Sequence, residues 1–146
     1  MTETETRPET WPDRLVRWKA PRSEWSRAAR TTLRTLHLLG MAAFFGAAAF
    51  GLEGHRFEIS VQAAVVTGVA FAVFEIYRAP VWLVQVRGVA TFLKVAFLAV
   101  AILWPPSRFA LAILLVAIGS IISHAPAKYR YYSFPHRRAI ESGGRG

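Results

Sequence analysis

Four long stretches of this chain are apolar on every side, and they limit its fold more than any other feature. They run over 33 to 52 (LRTLHLLGMAAFFGAAAFGL), 60 to 77 (SVQAAVVTGVAFAVFEIY), 88 to 104 (GVATFLKVAFLAVAILW) and 108 to 124 (RFALAILLVAIGSIISH). A helix that is apolar all round belongs in lipid or in the core of a much larger protein, and 146 residues are too few to build that core. Each stretch approaches the ~20 residues that cross a ~30 Å hydrocarbon layer. The expected fold class is therefore all-α, an integral membrane four-helix bundle of up-down-up-down order, with short connections over 53–59, 78–87 and 105–107.

The basic residues set the expected orientation. Eight precede or open the first stretch (Arg7, Arg14, Arg17, Lys19, Arg22, Arg27, Arg30, Arg34), two lie in the second connection (Arg78, Arg87) and five in the C-terminal segment (Lys128, Arg130, Arg137, Arg138, Arg145). The first and third connections hold only Arg56 and Arg108. By the positive-inside rule both termini face the cytoplasm, as an even number of spans also requires, and the expected location is a bacterial inner membrane. The net charge of +9 lies beside apolar stretches, so the expected partners are the bilayer and its anionic headgroups, not nucleic acid. A long charged segment comes first, so the first stretch reads as a retained signal anchor. The absence of cysteine excludes disulfides, thiolate zinc sites, iron–sulfur clusters and thiol nucleophiles within this chain.

Residues 1–9 (MTETETRPE) read as a disordered tail and 10–32 as a cytoplasmic amphipathic segment. Thr10 reads as an N-cap, Trp11, Leu15 and Trp18 share one helical face in the headgroup layer, and Pro21 ends this helix. Ser23 then caps a helix that runs on into the first span. Residues 33–124 form the four-span domain and 125–146 a basic cytoplasmic tail, in which Tyr129, Tyr131 and Tyr132 read as interfacial aromatics. In the first span Ala43, Ala47 and Gly51, with Ala42 and Gly46 beside them, form a small-residue stripe suited to packing within the bundle or in a homodimer.

Ionisable residues inside spans are costly, and each is a candidate for function. His37, Glu75, Lys94 and His124 all fall in the cytoplasmic third of the bundle, His37 about 6 Å and Lys94 about 9 Å in from their span starts at 1.5 Å per residue. Glu75 and Lys94, on consecutive spans, are expected to form an ion pair. His37 and His124 on neighbouring spans suggest axial ligation of a b-type haem, with Arg30, Arg34, Lys128 and Arg130 available to its propionates. Two alternatives use the same residues: a divalent metal held by His37, His124 and Glu75, and a proton relay. The bland reading makes each histidine an interfacial hydrogen-bonding residue and lets Lys94 snorkel. His55, in EGHRFE, reads as part of a solvated loop, and His136 has no assigned role. Phosphate-binding, nucleophile-elbow and zinc-protease motifs are absent.

The stretch LHLLGMAAFFGAAAFG, residues 36–51, resembles the first helix of several small bacterial four-helix membrane families, among them the copper-resistance D type. The close of the chain, SHAPAKYRYYSFPHRR, is similar to the C-terminal ends of small bacterial membrane proteins. The resemblance implies His37 as a metal or haem ligand. The expected function is a small inner-membrane subunit, without catalytic activity of its own, binding haem b for electron transfer or joining a redox complex. The alternatives are a structural or assembly subunit, and a small oligomeric ion-coupled transporter using Glu75 and Lys94.

Overall fold

The computed structural model describes residues 11–18, 20 and 23–140. A short helix, α1 (Trp11–Arg17), is followed by four long ones: α2 (Glu24–Ala49), α3 (Gly54–Arg78), α4 (Val86–Leu103) and α5 (Arg108–His124). A last turn of helix, α6 (Ala127–Arg130), leads into a small antiparallel hairpin, β1 (Tyr132–Ser133) and β2 (Arg138–Ala139). The tail expected over 1–9, the cap at Thr10, the break at Pro21, and residues 141–146 with Arg145 lie outside the described residues.

All four long helices have the length and composition to cross a membrane. Their outward faces carry exposed Leu39, Val66, Val73, Val95, Val116 and Ile121, an apolar exterior that water would penalise and lipid would not. The chain is a multi-pass membrane protein with an all-α bundle.

Local sequence explains how α2 starts and stops. The Ser23 hydroxyl accepts from the Ser26 amide at 3.1 Å, and the Ser26 hydroxyl accepts from the Ser23 amide at 3.1 Å, a reciprocal capping box with serine in the place usually held by Glu or Gln. At the other end Gly51 adopts φ +62, which releases the Leu52 amide to donate to the Ala47 carbonyl at 2.9 Å and its own amide to that of Ala48 at 3.4 Å. This turn folds α3 back along α2, the most extensive helix pair in the structure.

The two helices approach through Gly40. A methyl group there would lie 2.7 Å from the Ala63 carbonyl oxygen, a backbone atom that cannot move aside. Of the expected stripe of Ala43, Ala47 and Gly51, only Ala47 lies on the packing face within the bundle. Gly40, Phe44, Ala47 and Ala48 point inward, Ala43 is exposed and Gly51 belongs to the turn. Phe44 meets Phe57 at 6.0 Å in a tilted arrangement, and Ala64, Ala101, Ala112 and Leu115 complete the core, so small residues let four backbones converge on two aromatic rings. Beyond this core, at the end far from the termini, the Arg108 guanidinium lies 3.9 Å from the centre of the Phe57 ring and its Nε donates to the Ala101 carbonyl at 3.4 Å.

At the other end a folded cap closes the bundle. A 3-10 turn, Pro80–Val84, joins α3 to α4 and presents Val81, which with Ala79 and Ile140 forms a second apolar cluster covered by Leu15, Val16 and Val84. α1 is thus held on the protein by Leu15 and Val16. Trp11 and Trp18, expected to share their face, remain 64% and 54% exposed, and the Trp18 indole donates to the Tyr77 carbonyl at 2.9 Å. Gly40→Ala is expected to lower the unfolding midpoint in detergent, by the roughly 1–3 kcal/mol of an overpacked core. Gly46→Ala, where an added methyl meets nothing within 4 Å, leaves the midpoint unchanged or slightly raised.

Candidate functional site

The last turn of α3 delivers Glu75 to the junction between spans and cap, where its side chain is almost fully buried. α2 supplies Arg30, whose Nε lies 2.6 Å from Oε1 and whose Nη2 donates to Oε2 at 3.0 Å. α4 supplies Arg87 from its first turn, and its Nη1 donates to the same Oε2 at 3.2 Å. The 3-10 turn makes this meeting possible. The Ala79 amide still donates to the Glu75 carbonyl, the chain then becomes extended at Ala79, and the tight turn returns Arg87 toward Glu75 within twelve residues.

From Arg87 the network continues into the C-terminal segment. Its Nε donates to Gln85 Oε1 at 2.7 Å, and Gln85 Nε2 donates to the Ile140 carbonyl at 2.7 Å. Gln85 and Ser133 are fully buried and form an isolated antiparallel bridge, and the Phe134 amide donates to the Val84 carbonyl at 3.2 Å. The Tyr131 ring has the Arg87 and Arg130 guanidiniums each 4.9 Å from its centre, and Arg130 Nη1 donates to the Ser123 carbonyl near the end of α5 at 3.1 Å. One polar chain therefore touches all four spans and the C-terminal hairpin.

The expected pair of Glu75 with Lys94 is not formed. Two arginines occupy the carboxylate, because they stand at its own level, whereas Lys94 lies two helical turns further along α4 than Arg87. His37 and His124 do not share a gap either. The His37 ring lies over Gly68, stacked at 6.4 Å on Phe71 of α3, and its Nδ1 is buried without a hydrogen-bond partner. His124 is exposed at the end of α5, where its Nδ1 lies 2.9 Å from the Ser120 carbonyl of its own helix. Bis-imidazole ligation needs two rings facing one gap, and this arrangement gives it no support. The metal set of His37, His124 and Glu75 is likewise not assembled: among the described residues no three His, Cys, Asp or Glu side chains are placed to hold a metal ion.

The residues assigned to propionates are dispersed. Arg34 is exposed on α2, Lys128 places its ammonium 4.8 Å from the centre of the Tyr129 ring, and Arg30 and Arg130 are engaged as described. His136, without a role in the sequence, is nearly buried, with Nδ1 2.8 Å from Ser133 Oγ and Nε2 3.8 Å from Asp13 Oδ1. It links the hairpin to α1. Arg87, Gln85 and Ser133 also escaped the sequence reading. The signal for Arg87 was present, since a basic residue in the first turn of a span, close in sequence to a buried acid, is an obvious partner for it. Gln85 and Ser133 carry no comparable mark, because their burial depends on the tail folding back.

A buried carboxylate stripped of its partners is far costlier than an exposed one. Glu75→Ala, which removes the carboxylate that Arg30 and Arg87 share, is expected to destabilise the protein by about 3–5 kcal/mol in a thermal or denaturant titration in detergent. The double replacement Glu75→Met with Arg87→Met should recover most of that loss, as apolar substitution of a whole buried pair commonly does.

No family model matches this chain, and neither the curated proteins nor the solved structures searched contain a match.

Proposed function

We propose that this protein is a non-catalytic structural or assembly subunit of a bacterial inner membrane. Its four spans carry a folded cytoplasmic cap, with both termini on the cytoplasmic side, and the cap rather than the membrane interior is the part offered to other components. The observation that carries this reading is the engagement of Glu75 by Arg30 and Arg87 together with that of Gln85 by Ile140. The strongest candidate for chemistry in the spans has both oxygens in contact with guanidinium groups, and the adjoining polar side chains are bonded to one another and to backbone.

The fifteen basic residues on the terminal side against two on the other support the orientation, through the attraction of Lys and Arg to the cytoplasmic leaflet. Exposed Trp11, Trp18 and Trp25 around α1 and the start of α2 support an interfacial setting for the cap, since indoles favour the headgroup level. Expression with ample haem, purification in detergent and visible spectra of the oxidised and reduced protein test the reading. A colourless preparation is expected. A Soret band that disappears in His37→Ala or His124→Ala would overturn it in favour of a haem-binding subunit.

A further inference from the structure

The two sides of α1 meet different surroundings. At about 100° per residue, Leu15 and Val16 share one side of the helix and Arg14 and Arg17 the opposite side, with Trp11 at the edge between them. Leu15 and Val16 pack on the cluster of Ala79, Val81 and Ile140, whereas Arg14 and Arg17 are exposed. The face of Trp11, Leu15 and Trp18 expected to enter the headgroup layer is therefore divided, and the outward side of α1 is basic. Asp13, 3.8 Å from His136, sets the hairpin turn beside α1, and the next two residues of that turn, Arg137 and Arg138, are exposed. Among the described residues of α1 and the hairpin, Asp13 is the acidic side chain and Arg14, Arg17, Arg137 and Arg138 are the basic ones, so this surface is net positive whatever pairs form within it.

The same surface is tied to the level at which α3 leaves the apolar layer. Val66, Val69, Val73 and Tyr77 recur at helical spacing and are all exposed, which makes them the lipid-facing stripe of α3. At the end of that stripe the Trp18 indole donates to the Tyr77 carbonyl, and the Ala20 amide donates to the Arg78 carbonyl at 3.2 Å. Trp18 and Trp25 are both exposed beside this junction.

We propose that the outward side of α1, together with Arg137 and Arg138, binds the phosphates of anionic phospholipids in the leaflet at the capped end, and that this contact helps to hold α1 on the cap. Seven residues are too few for a helix to persist alone, and the apolar hold on α1 comes from two half-buried side chains. A net positive surface at headgroup depth, edged by indoles, complements an anionic leaflet in both charge and polarity. Exposed tryptophans at this level favour lipid over an acidic protein as the occupant. The binding is by charge and not by apolar insertion, because Leu15 and Val16 are turned to the protein, so salt screens it. It rests on the interfacial setting proposed for the cap and not on the lack of a cofactor, which the haem spectra test, so the two fail independently.

Hydrogen exchange of the full chain in nanodiscs of phosphatidylcholine, with and without phosphatidylglycerol, tests this. The amides of α1 are expected to exchange more slowly when phosphatidylglycerol is present, and salt at about 0.5 M removes the difference. Within phosphatidylglycerol nanodiscs, where all variants share one surface pH, Arg14→Gln raises exchange of these amides about fivefold, the ~1 kcal/mol of one basic residue at an anionic surface, and Arg14→Lys does not. Equal protection of the four long helices establishes that both variants are folded. Unchanged exchange of α1 in Arg14→Gln overturns the proposal. So does an equal rise in phosphatidylcholine alone, which would make Arg14 part of the packing of the protein itself. Stronger protection of α1 by soluble polyglutamate than by phosphatidylglycerol also overturns it, and would assign the surface to an acidic protein.

Discussion

A single carboxylate held between two guanidiniums organises this protein. Glu75 belongs to α3, Arg30 to α2 and Arg87 to α4, so one acidic side chain fixes the relative rotation of three helices at the end where they leave the apolar layer. Within lipid the helices gain nothing from hydrophobic exclusion, because the surrounding acyl chains are as apolar as they are. Close backbone approach at Gly40 and the small core around Phe44 and Phe57 give contact, and directional polar bonds at the bundle end give register.

The cap depends on the same point. Arg87 continues to Gln85, Gln85 to Ile140, and Tyr131 lies between Arg87 and Arg130, so the C-terminal hairpin is placed by the group that pairs with Glu75. α1 then closes the hairpin and the 3-10 turn by covering Val81 and Ile140 and by the contact of Asp13 with His136. A segment that composition alone presents as a basic tail is, over 127–140, a small folded element.

The fold was legible because lipid imposes its demand on whole segments. Four stretches apolar all round admit few arrangements, and the boundaries at Ser23 and at the prolines 105 and 106 follow from local effects that do not depend on distant residues, whereas Gly51, read as part of a packing stripe, ends α2 in the structure. The site was legible only in part. Glu75 stands out because a carboxylate in a span requires a partner, but which cation it takes depends on helix rotation and on the shape of the connection. Arg87 was read as a loop charge and Lys94 as the partner, whereas the 3-10 turn sets Arg87 at the carboxylate. The histidines show the same limit: counted along the chain, His37 and His124 read as close in depth, whereas His37 packs onto α3 two turns below the Glu75 layer and His124 lies exposed at the end of α5. Depth can be counted along a chain, and azimuth around a helix cannot be counted across several of them.

Hydrogen exchange of the detergent-solubilised protein, comparing the natural chain with Glu75→Gln, tests most directly whether this carboxylate holds the cap on the bundle. Removal of its charge is predicted to raise exchange together in the 3-10 turn over 80–85 and in the hairpin over 131–140, and to leave the far halves of α2 and α3 protected. Unchanged protection of the hairpin in Glu75→Gln would contradict the account and show that the cap is held by its apolar cluster alone.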